Sequence, residues 1–165
     1  MRSLPDPGFA GDDGAASPEV VAALAAYAEE PDTRHPATLA VLQHARVLVP
    51  VVAVLGEVEV DERGLAHDKT SDMATVLMTG RDGRTALLAF TGRESLQRWD
   101  PEARPVPVTA ERAAQAARQD GADAIVVDVA GPTRFVIDGE DLELLASGAT
   151  LVESSGRYGW ARPAP

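Results

Sequence analysis

Two apolar runs, Met73 to Thr79 and Thr85 to Phe90, are separated by Gly80-Arg81-Asp82-Gly83-Arg84. Asp-Gly between two such runs is a strong hairpin signal, because glycine accepts the positive φ of a tight turn. A second pair, Ala124 to Val129 and Arg134 to Ile137, is joined through Gly131-Pro132. Two hairpins mean that the sheet cannot be wholly parallel, which argues against a doubly wound nucleotide fold. Helical patterns lie between and around these strands. The expected class is therefore α+β (mixed α/β): one domain over 17–165, with a mixed, mostly antiparallel sheet and flanking helices.

The helices carry their own start and stop signals. Ser17-Pro18-Glu19 reads as an N-cap followed by a first-turn proline, and Val20, Val21, Leu24, Tyr27 and Ala28 recur at helical spacing. Pro31 is expected to stop this helix and a second to run from Pro36 to Ala45. Further helices are expected over Arg93 to Trp99 with Thr91 as its cap, Ala110 to Gln119, and from about Asp138 to Gly148. In Ala110 to Gln119 the alanines at 110, 113, 114 and 117 share one face, so that helix can sit close to a sheet. The β-branched run Arg46 to Val54 reads as a strand that is at an edge or bulged at Pro50, since proline donates nothing to a ladder. Residues 1–16 hold little to bury and are expected to form a mobile arm. Residues 55–70 read as an acidic loop or loose ribbon.

The 165 residues contain no cysteine, which excludes disulfides, thiolate metal sites, iron–sulfur clusters and thiol nucleophiles. No signal-peptide pattern opens the chain. Its longest apolar run, Val47 to Leu55, is far short of the roughly 20 residues of a membrane helix. A cytoplasmic location is the expectation. The net charge is −11 with no basic block, which disfavours nucleic acid and anionic membranes as partners. Frequent alanine and a single lysine, Lys69, look like the codon usage of a GC-rich bacterial genome.

Catalytic signatures are missing from the sequence: no GxxxxGK[ST], GxGxxG, GxSxG or HExxH, and no two of His35, His44 and His67 at the i+3 or i+4 spacing of a helical metal site. No metal and no cofactor are expected. Two segments are worth weighing. Arg93, Arg98 and Trp99 cluster on one short helix with Arg104 just beyond, and tryptophan and arginine are enriched at binding hot spots. His67, Lys69, Ser71 and Asp72 could surround a pocket, with Ser71 as nucleophile and His67 as base. Each has a plainer reading, Trp99 as a core plug and Ser71-Asp72 as a turn.

Ordered motifs point to a family. Lys69-x-Ser71-Asp72-Met73-Ala74, then Thr79-Gly80-x-Asp82-Gly83-Arg84-x-Ala86-Leu87, Phe90-Thr91, Leu96 and Trp99 resemble the SseB family. So do Arg104-Pro105-Val106-Pro107, Gly121-Ala122-Asp123-Ala124 and Val127-Asp128-x-x-Gly131-Pro132. The resemblance spans about residues 37–148 and is to an actinobacterial type built around the SseB N-terminal domain. It implies a compact α/β domain in the cytoplasm and supplies no catalytic residues. The expected function is a non-enzymatic protein-binding or adaptor module using Arg93, Arg98, Trp99 and Arg104 toward an unknown protein partner. The alternatives are a small-molecule-binding protein or weak hydrolase using His67, Lys69, Ser71 and Asp72, and a self-associating domain. A homodimer could form through the edge near Pro50 or the helix at 18–30.

Overall fold

A computed structural model describes residues 9–54, 59–60, 66–67 and 72–165; of 52–54, 59–60, 66–67 and 72–74 it describes the backbone alone. In chain order the elements are α1 (Pro18–Glu29), α2 (Pro31–Leu42), β1 (Arg46–Val54), β2 (Glu59–Val60), β3 (Ala66–His67), β4 (Asp72–Thr75), β5 (Leu77–Thr79) and β6 (Thr85–Ala89). Then follow α3 (Arg93–Trp99), β7 (Arg104–Thr109), α4 (Ala110–Gln119), β8 (Ala124–Val127), β9 (Phe135–Asp138), α5 (Gly139–Ala146), β10 (Thr150–Ser154) and β11 (Arg157–Ala161). The class is α+β. Among the described residues no helix is long and apolar enough to cross a membrane.

Ser17 caps α1, its hydroxyl oxygen accepting the Val20 N–H at 3.3 Å. The second helix starts earlier than expected, at Pro31 itself. A proline at the first helical position loses no bond, because that N–H has no intrahelical acceptor. So one residue, Glu30, separates α1 from α2, and Pro36 lies inside the second helix.

The main sheet has the order β5-β6-β8-β9, with β6 and β8 parallel and the outer pairs antiparallel. A second sheet, β4-β1-β7, is antiparallel throughout. The two meet where Leu48 and Phe90 exchange backbone hydrogen bonds of 2.7 and 2.8 Å. The expected single run 73–79 is divided at Val76: β4 pairs with β1, whereas β5 pairs with β6. The chain changes sheets there. The pairs β2–β3 and β10–β11 are separate antiparallel ribbons.

Pro50 is not at an exposed edge. It is buried in β1, the middle strand of its sheet. Leu48 spends its N–H and C=O on Phe90, so Leu48 opposite Pro107 is a pair without mutual hydrogen bonds, and alternation makes Pro50 opposite Pro105 another. The missing Pro50 donor falls where the neighbour of β1 changes from Phe90 to β4, whose pairing starts at Val51. Pro105 and Pro107 likewise turn their nitrogens toward the unpaired side of β7.

Side chains alternate across β6. Leu87 and Ala89 join a core built from α1, α2, α4, α5 and both sheets, while Ala86, Leu88 and Phe90 join a second core covered by α3. Strand β8 is buried on both faces. Helix α4 packs through Ala110, Ala113, Ala114 and Ala117, all buried, as the sequence spacing implied. A114L should overpack this contact. The expected cost is about 1–3 kcal/mol, read as a lower melting temperature; an unchanged melt would show slack under α4.

Candidate functional site

The parallel strands β6 and β8 end side by side, and open α/β sheets commonly place ligands beyond such carboxyl ends. Past β8 the chain enters Asp128, whose backbone has φ +53°. Aspartate is among the few non-glycine residues that occupy this left-handed region. The turn ends β8 at Val127, two residues short of the expected Val129. Asp128 is 1% exposed. Its N–H donates to Ala89 O at 2.9 Å. One carboxyl oxygen accepts the Thr91 N–H at 2.9 Å and the other the Thr91 hydroxyl at 2.7 Å. Thr91 is therefore not the cap of α3. Gly92 occupies that position, and the Ser95 hydroxyl takes the Gly92 N–H at 3.4 Å.

In front of this pair opens a cleft of about 590 Å³. It is lined by Val21, Leu24 and Ala25 of α1, by the first turn of α3, and by Asp128 and Thr133. Val21 is 55% exposed, whereas Val20 and Leu24 of the same helix are buried. Residues 13–16 form the remaining side.

Those residues belong to the expected mobile arm. From Asp12 onward they are hydrogen-bonded to the domain. Arg46, in β1, grips Asp12 with Nε at 2.8 Å and Nη2 at 2.9 Å, and also donates to Ala15 O at 2.7 Å and Thr91 O at 3.0 Å. The Gly14 N–H, at 2.8 Å, holds the Asp12 carboxyl below its ordinary range; burial works against this, and Arg46 adds to it.

The structure brings two of the expected binding residues together and separates the others. Arg93 and Arg98 both line the cleft; Arg98 also donates to Glu94 at 3.3 Å. Trp99, half-buried, packs on Phe90 with ring centroids 5.6 Å apart, against the second core. Arg104 is exposed on β7 opposite Val51, apart from the cleft lining. Of the second set, Lys69 and Ser71 lie outside the described residues. The backbones of His67 and Asp72 pair in β3 and β4, and their side chains lie outside the description. Among the described residues no three His, Asp or Glu side chains gather as a metal site.

Sequence reading missed Thr91, Asp128 and Val21 as parts of one site. The available signal was an acid directly after the buried run Ala124 to Val127. The chain matches the SseB protein N-terminal domain over residues 20–144, from the first turn of α1 into α5. The match therefore takes in α1, which the motif resemblance at 37–148 had left out, and leaves out the 12–16 arm and the β10–β11 ribbon. No curated protein and no solved structure matches the chain. With the domain covered from α1 to α5, this chain belongs to the SseB family.

Proposed function

We propose that the chain is a non-enzymatic protein-binding or adaptor module of a bacterial cytoplasm, of actinobacterial type, and that the α1–α3 cleft is its contact surface. The observation that carries this reading is Val21, more than half exposed on the cleft wall, in a cleft also lined by Arg93 and Arg98. Exposed apolar surface marks interaction sites, and arginine is enriched at their hot spots. Asp128 supports a scaffolding role in preference to a catalytic one, because Thr91 engages both of its oxygens. The cysteine-free, arginine-biased composition supports the host and compartment.

A photo-crosslinking side chain at position 21, expressed in the native host, tests the assignment. The expected result is a discrete adduct that R93A/R98A reduces at least five-fold, with the fold unchanged by circular dichroism. The same probe at Val152, an exposed apolar residue on β10, is the control. Equal adducts from both positions would sink the cleft as the surface. A cleft of about 590 Å³ also suits a drug-sized molecule. Thermal stabilisation by a metabolite, lost in R93A/R98A, would favour that second reading.

A further inference from the structure

We propose that residues 12–16 are a releasable strap forming one side of the cleft, that Arg46 is its latch, and that strap docking limits a partner's access to Val21. The access clause rests on the cleft being a binding surface; the strap and its latch do not.

The strap is held chiefly by polar contacts. One guanidinium bonds both oxygens of Asp12, the Ala15 carbonyl and the Thr91 carbonyl. Thr91 is also the residue that bonds Asp128, so Arg46 ties the strap to a turn that lines the cleft. The other anchor is the Arg93 N–H, which donates to Gly14 O at 2.7 Å. Arg93 is the first residue of α3, and a helix supplies no internal acceptor for that N–H. The strap supplies it.

Gly92 fits the same arrangement. Its φ of −160° is ordinary extended backbone, so its conformation does not demand glycine. Space does: a Cβ there would lie 2.7 Å from Ala16 N and 3.2 Å from Gly14 O. The side chain is excluded by the strap's backbone. Gly92 and Arg46 lie inside the part of the chain matched to the family domain, whereas the strap precedes it. Few buried apolar atoms and a handful of polar bonds, set against the entropy of ordering the segment, are the marks of a unit that opens below the global unfolding free energy.

The test is amide hydrogen exchange on the full chain, comparing wild type, Gly92→Ala and Asp12→Asn. Gly92→Ala evicts the strap sterically, and Asp12→Asn weakens the latch from the surface. Each is expected to speed exchange of the Arg93 amide at least ten-fold and leave the Leu48 and Phe90 amides, bonded to each other's carbonyls, unchanged. Less than a two-fold change at Arg93 in Asp12→Asn overturns the latch. Equal acceleration at Leu48 and Phe90 in Asp12→Asn overturns it too, because the strap is then not a separate unit. The position-21 crosslink is read in the same variants and should rise at least three-fold. If it is present but unchanged on strap release, the access clause falls. If it is absent throughout while Arg93 responds, the strap and latch stand and the binding-surface reading fails, taking the access clause with it.

Discussion

Phe135→Ala is expected to destabilise the domain by about 3–5 kcal/mol, the range for emptying a buried phenylalanine site. For a chain of this size the melting temperature should fall by on the order of 10 °C. Phe135 is 0% exposed. Its ring meets Tyr27 edge-on at 4.9 Å and stacks with His35 at 4.6 Å, joining α1, α2 and β9. Beside it the His35 Nε2 lies 3.0 Å from Val136 O on the outer side of β9. Removing the ring therefore takes packing from two helices and from the side chain that covers that edge. Phe135→Leu should lose roughly half as much, since most of the apolar volume is kept. Thermal unfolding followed by circular dichroism decides it, and a loss under about 1 kcal/mol for the alanine variant would show that these helices do not close over Phe135.

The second large effect is expected at Asp128. Alanine there removes both acceptors from Thr91 and strands a buried N–H and a buried hydroxyl. It also leaves a left-handed backbone without a side chain suited to it. The expected cost is about 2–4 kcal/mol. Asp128→Asn keeps the backbone preference and one acceptor and should cost about half of that. The order is the informative part: alanine much worse than asparagine identifies the Thr91 turn as the cause. Asparagine as damaging as alanine would show that the negative charge itself is required.

Much of this architecture could be read locally. The Asp82-Gly83 turn, the Ser17 cap and the alanine face of α4 each signal their element through a few neighbouring residues. What could not be read depends on who lies alongside. Pro50 suggested an edge or a bulge because a proline cannot donate; the register runs through it unbroken, and only the change of neighbour from Phe90 to β4 explains how it sits in a middle strand. Pro31 looked like a stop and is also a start, because its missing N–H is equally harmless at either boundary. Arg93 and Arg98 stood out in the sequence as a cluster on one helix. Thr91 and Asp128 are 37 positions apart and become partners only through the parallel pairing of β6 with β8. Trp99 and Arg104 are near Arg98 along the chain, yet one packs against the second core and the other sits on a different sheet.

Strand β7 has a consequence for how copies of this chain meet at high concentration. Along its outer side the positions that would present N–H groups to an incoming strand are Pro105, Pro107 and Thr109, and the first two have none to offer. A foreign strand laid there would find one donor where a continuous ladder wants three, so this flank is a poor template for edge-to-edge growth. The same prolines that cost β1 nothing thus serve as a guard against runaway strand addition.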